Sequence, residues 1–227
     1  KGGEMIATKS KRFEDITGFI EKYHNIFITG CGDCSVVCKT GGEPEVAAMK
    51  VALEKIGKKV TGTAVIDPSC HLVEVKKTYQ QHKEEVLNSD AILVMGCGDG
   101  VRTILEGMKK PVYPALDTLF LGETVRGGYF KETCSLCGDC VLDRTGGICP
   151  FTCCAKALLN GPCGGQSKGK CEVDKEKDCG WIMIYNRLKE INELDKMTQI
   201  RQAKDCSILI KPRELVVEGA TVRVGAR

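Results

Sequence analysis

The chain has 227 residues, with 33 Lys and Arg against 30 Asp and Glu for a net charge of +3. That length buries a core without cross-links, and so balanced a charge gives no footprint for nucleic acid or an anionic membrane surface. No apolar run approaches ~18 residues, and the first residues, Lys-Gly-Gly-Glu-Met5, have no apolar signal segment, so a cytoplasmic protein without a membrane span is expected.

In chain order, Asn25-Ile26-Phe27-Ile28-Thr29 is a short apolar run ending at Gly30 and predicts a first buried strand. Val46, Met49, Leu53 and Ile56 recur at helical spacing, with Gly57 placed as a C-cap. Residues 61–67 predict a second strand. Leu72, Val75, Tyr79 and Val86 mark a helix, residues 91–95 a third strand, residues 101–109 a third helix and residues 111–116 a fourth strand. Strand and helix signals in alternation predict an α/β fold: a small open parallel sheet with flanking helices.

From Gly122 to Cys179 the periodicity disappears, a stretch too long for an ordinary connection, so something other than an apolar core must order it. A helix over residues 181–197 follows, with Trp181, Ile184, Leu188, Ile191 and Leu194 on one face. Residues 207–217 predict an extended piece, and residues 221–227 carry no signal. The division expected is an α/β domain over residues 1–120 and a cysteine-rich domain with the C-terminal helix over residues 121–227.

The chain holds 15 cysteines. An odd count in a sizeable chain without a secretory segment points to metal-held thiolates rather than disulfides. At ~4 thiolates per closed site, three sites would use twelve. Cys31, Cys34 and Cys38 form Cys-x2-Cys-x3-Cys directly after the first strand, where an open α/β sheet places its ligands. A fourth thiolate is available from Cys97 or Cys70, each at an equivalent strand end. Cys97 is favoured because its Gly-Cys-Gly-Asp setting repeats residues 30–33, and Cys70 is held in reserve. Cys134, Cys137 and Cys140 open like the bacterial ferredoxin run, but the next cysteine before a proline, Cys149, comes after eight residues instead of three. With Cys153, Cys154, Cys163, Cys171 and Cys179 this region has nine cysteines and no histidine. All-sulfur donors suit iron–sulfur clusters or a closed structural zinc. Spacing alone leaves open which cysteines share a site. Cys206 reads as a bystander, and His71, beside Cys70, is the histidine best placed to influence a sulfur group. No dinucleotide or phosphate loop and no activated nucleophile is present, so no catalytic residue is assigned.

The string from Cys134 through Cys149-Pro150, then Cys154-Ala-Lys156, Asn160-Gly-Pro-Cys163-Gly-Gly, Gly169-Lys-Cys171 and Cys179-Gly-Trp181 resembles the methylenetetrahydrofolate reductase C-terminal domain family. Together with the preceding cysteine-bearing α/β half, the chain is similar to the small iron–sulfur (MetV-type) subunits of two-subunit methylenetetrahydrofolate reductases of acetogenic bacteria. The resemblance implies [4Fe-4S] clusters, with zinc as an alternative metal at one site, and Cys134, Cys137, Cys140, Cys149, Cys154, Cys163, Cys171 and Cys179 as the second-region ligands, Cys153 being the extra one. It implies a partner, the FMN-bearing catalytic subunit that reduces 5,10-methylenetetrahydrofolate to 5-methyltetrahydrofolate. The electron donor would be ferredoxin, a diaphorase-like subunit or a heterodisulfide-reductase-like module. The rival expectation is a zinc-stabilised scaffold without a redox role.

Overall fold

The computed structural model describes residues 5–217 and divides into two compact units, Lys1–Thr133 and Cys134–Arg227. In the first unit the elements run β1 (Met5–Ser10), α1 (Phe13–Phe19), β2 (Asn25–Cys31), α2 (Cys34–Val37), α3 (Glu43–Lys55), β3 (Lys59–Ile66), α4 (Leu72–Gln81), α5 (Lys83–Leu87), β4 (Ala91–Met95), α6 (Gly98–Met108), β5 (Val112–Pro114), β6 (Leu116–Arg126) and β7 (Tyr129–Cys134). The expected open sheet is present: four parallel strands in the order β3-β2-β4-β5.

The two faces of this sheet account for its apolar runs. Side chains alternate across a strand, so Ile26 and Ile28 pack with Ile16, Ile20, Val46 and Leu53 on the side of α1 and α3. Phe27, Ile92 and Val94 pack with Val75, Val86 and Ile104 on the side of α4, α5 and α6. With both faces covered, every position of β4 is buried and the strand reads as an unbroken apolar run. Polar groups fix the ends. The Asp90 carboxylate accepts the backbone N–H groups of His24 and Asn25 at 3.0 and 2.7 Å, and Lys58 Nζ donates to the carbonyls of Ile20, Glu21 and Tyr23 that follow α1.

Several details differ from the periodicity. The helix expected from Leu72 through Val86 is two helices broken at His82, and the third helix begins at Gly98 rather than at residue 101. The expected fourth strand is only Val112–Pro114, because Leu116 opens a separate long strand. β1, β6 and β7 form a second, antiparallel-paired sheet in the order β1-β6-β7, with Met5 opposite Gly122 and Ser10 opposite Leu116. Its strands reach into the stretch beginning at Gly122 that shows no periodicity. Most residues of β6 and β7 are exposed or only half-buried, so neither strand has a core face to write an alternation into the sequence.

The second unit contains α7 (Pro150–Cys153) and α8 (Gly180–Glu190) with two short 3₁₀ turns, Leu194–Thr198 and Cys206–Leu209. The helix expected over residues 181–197 therefore ends at Glu190. Residues 207–217 pair with no strand among the described residues, and residues 221–227 lie outside them. The unit's buried core is small: Cys179, Trp181, Ile184 and Leu188. Trp181 donates its indole N–H to the Leu158 carbonyl at 3.0 Å, and a Cβ added to Gly180 would stand 2.6 Å from the Cys153 carbonyl oxygen, so glycine is what lets α8 start against α7. Among the described residues no helix is long and apolar enough to cross a membrane.

Candidate metal centres

The chain leaves β2 toward β3 on one side of it, while β4 lies on the other, so the topological switch point falls between the carboxyl ends of β2 and β4. Cys31 ends β2 and Cys97 follows β4, one on each side of that point. Cys34 opens α2, Cys38 follows it, and Cys70 sits in the turn after β3. Cys31 and Cys97 are buried, Cys34 and Cys38 half-buried, and Cys70 exposed.

The thiols affect one another. Burial pushes the Cys34 thiol up, and Asp33, Cys31 and Cys97 push it further, against the Ile6 backbone, which favours the thiolate. Cys70 is pushed up to about 11, first by burial and then by Asp99, Cys97 and Cys31. Crowded thiols resist ionising together until a cation shares their charge. Cys38 is turned toward β1, its thiol donating to the Ile6 carbonyl at 3.7 Å.

Two strands absent from the periodicity wall this crevice. Thr8 of β1 shares a buried hydrogen bond of 2.7 Å with Thr40 beyond α2, and the Gly98 N–H at the start of α6 donates to Thr118 Oγ1 of β6 at 2.8 Å. The glycines flanking the cysteines answer first to packing: a Cβ on Gly30 would lie 2.3 Å from the Gly41 carbonyl oxygen, and one on Gly41 would lie 1.9 Å from that of Met95. Ser35, beside Cys34, and Ser69, beside Cys70, are fully buried with hydroxyls that have no hydrogen-bond partner. Ser69 Oγ also lies 3.1 Å from where a Cβ on Gly96 would stand. Buried orphan hydroxyls call for an acceptor, and together with an all-thiol donor set they fit a sulfur-rich prosthetic group.

In the second unit Cys154, Cys163, Cys171 and Cys179 line one pocket, flanked by the Lys156–Glu172 ion pair. The backbones of Asp174 and Val173 pull the Cys171 thiol down. Cys179 occupies the N-cap of α8. Four thiols and no histidine line this pocket, which is the donor chemistry, though not the single-ion geometry, of a thiolate site.

Cys134, Cys137 and Cys140 lie at the start of the unit, where the Leu136 N–H donates to Cys134 Sγ at 3.4 Å. Burial raises the Cys137 thiol, but Lys204, 2.8 Å from its sulfur, and the Asp139 backbone bring it down overall. Cys149 and Cys153 bracket α7, whose Phe151 ring lies under the same Lys204 ammonium at 4.6 Å. Lys204 thus links the 134–140 loop to α7. It stands alone in a tail without periodicity, which is why sequence patterning does not single it out. Cys206 is exposed, and His71 stands at the N-cap of α4. Among the described residues, no three His, Cys, Asp or Glu side chains stand in the arrangement of a single-ion site.

No curated protein matches the chain. Residues 113–207 match the family model for the methylene-tetrahydrofolate reductase C terminal, a span that takes in every cysteine from Cys134 to Cys206. Over that span, somewhat less than half of the chain, it is similar to this family.

Proposed function

We propose that this chain is the iron–sulfur electron-transfer subunit of a two-subunit methylenetetrahydrofolate reductase, supplying electrons to the flavin of a separate catalytic subunit. The observation that carries this is the family match over residues 113–207, which takes in ten of the cysteines, together with the thiols that flank the switch point of the first unit and those that line one pocket of the second. In this reading Cys31, Cys34, Cys38 and Cys97 hold one group at the switch point, with Cys70 the alternative to Cys97 as the fourth ligand. Cys134, Cys137, Cys140 and Cys149 hold a second, and Cys154, Cys163, Cys171 and Cys179 a third.

Bound [4Fe-4S] clusters would supply one-electron chemistry. The chain's own residues do the rest: thiolates hold the groups, β1 and β6 cover the first, and the Ser35 and Ser69 hydroxyls are free to donate toward it. Reduction of the methylene group takes two electrons and two protons, and belongs to the flavin partner. A cytoplasmic setting and an electron donor of the ferredoxin, diaphorase or heterodisulfide-reductase kind accompany this assignment.

A structural zinc is the second reading for the pocket of Cys154, Cys163, Cys171 and Cys179, favoured by its all-thiol donors, although among the described residues no three of them stand in the arrangement of a single-ion site. The test is a stopped-flow mixing of the reduced, anaerobically purified chain with the flavin subunit and methylenetetrahydrofolate. Visible absorbance bleached by reduction should return as methyltetrahydrofolate forms. A chain that stays reduced, or that shows no bleaching at all, contradicts the assignment.

A further inference from the structure

A segment with almost no regular structure lies along the 134–140 loop. Arg201 is pinned by Asn160, which accepts its backbone N–H and donates to its carbonyl, both at 2.8 Å. From there the Arg201 guanidinium pairs with Asp139 at 2.5 Å. Lys204 donates to Cys137 Sγ at 2.8 Å and to the Asp139 carbonyl. Ile208 packs against Gly138, where an added Cβ would meet its side chain at 3.0 Å, and Arg213 donates to the Leu136 carbonyl at 3.4 Å. Every residue from Leu136 to Asp139 is thus touched from the tail.

We propose that residues 201–213 are a strap over the 134–140 loop and that Lys204 is its positioning residue, holding a positive charge on the Cys137 sulfur so that the group bound there is easier to reduce. This rests on the assignment of the 134–140 thiolates as cluster ligands. The physical argument is one of sign. One-electron reduction adds a negative charge shared with the ligand sulfurs, and a cation in hydrogen-bond contact with one of them stabilises the reduced state more than the oxidised one. The geometry keeps the charge in place: the Phe151 ring under the ammonium and the Asp139 carbonyl leave it a narrow choice of positions. Asp139 lies in the field of Lys204 as well, but it is paired with Arg201, so the two cations outnumber the one carboxylate beside this loop.

The experiment is a mediated potentiometric titration of the anaerobically purified full chain, followed by electron paramagnetic resonance, with iron and acid-labile sulfide counted beforehand. Comparison with Cys137→Ser identifies which signal belongs to this loop. Lys204→Gln should leave the iron count unchanged and lower the reduced-to-oxidised ratio of that signal about tenfold at a fixed potential, which for a one-electron couple is about 59 mV. Lys204→Arg, which keeps the charge, should titrate close to the unsubstituted chain. A Lys204→Gln protein with an unmoved signal, or a Lys204→Arg protein displaced equally far, overturns the inference. Should Lys204→Gln lose this iron, Lys204→Arg decides: iron kept at an unshifted potential upholds the role of charge, and iron lost overturns it. An unsubstituted chain without iron or sulfide overturns the proposed function itself, before any variant is compared.

Discussion

Between Asn25 and Ala115 the chain buries Ile26, Phe27 and Ile28 consecutively, then Ala91 through Met95, and covers them with helices on both faces. Between Cys134 and Cys179 it buries only Val141, Thr145, Pro150 and Cys179. Turns there rest on left-handed glycines such as Gly146, Gly147, Gly161, Gly164 and Gly169. The same chain thus contains one unit whose order follows from apolar area and one in which apolar area is scarce. Conformational entropy must be offset in both, and in the second the proposed metal-bound thiolates would do this.

Removing the metal should break the comparison open most widely. Chelation or oxidation of the purified protein should leave the first unit protease-resistant and make residues 134–217 cleavable, as followed by mass spectrometry of limited digests. Resistance of both units without metal would mean that the small core around Trp181 and Leu188 suffices. Next in size, Phe27→Ala should destabilise the first unit by about 3–5 kcal/mol in denaturant titrations while the metal-loaded second unit keeps its resistance. Cys97→Ala should then remove the iron of one site, whereas Cys70→Ala should leave the iron count intact, since Cys70 is exposed and Cys97 buried beside Cys31 and Cys34. The reverse result would move the fourth ligand to Cys70.

The smallest effect concerns Asp90. The backbone N–H groups of Asn25 and then His24 hold its carboxyl below the usual carboxylate value. A depressed folded value means its contribution is complete above the unfolded value, near 3.8, and is lost as the pH falls through the folded one. Asp90→Ala should therefore unfold in urea more easily than the unsubstituted chain at neutral pH, with the gap narrowing below about pH 4. A gap independent of pH would show that the side chain acts there without its charge.

How much of this the sequence discloses follows the same division. Where strands are buried on both faces, as at residues 91–95, the apolar run marks the element and the cysteine after it marks the switch point. Where they are not, the signal fails: β1 pairs with residues more than a hundred positions away and β6 is largely solvated, so the strands walling the Cys31–Cys97 crevice leave no periodic trace. Cysteine spacing disclosed the second region but not its partition, because Cys154, Cys163, Cys171 and Cys179 meet through loop folding rather than through any regular repeat. Lys204 and the orphan hydroxyls of Ser35 and Ser69 belong to the same class, since their role depends on what the fold places beside them.

The most direct test is elemental. Iron, zinc and acid-labile sulfide should be counted per chain in protein purified without oxygen. The account predicts brown protein in which sulfide matches iron and iron exceeds a single cluster's complement, with or without one zinc. Colourless protein carrying zinc alone, or no metal, would contradict it.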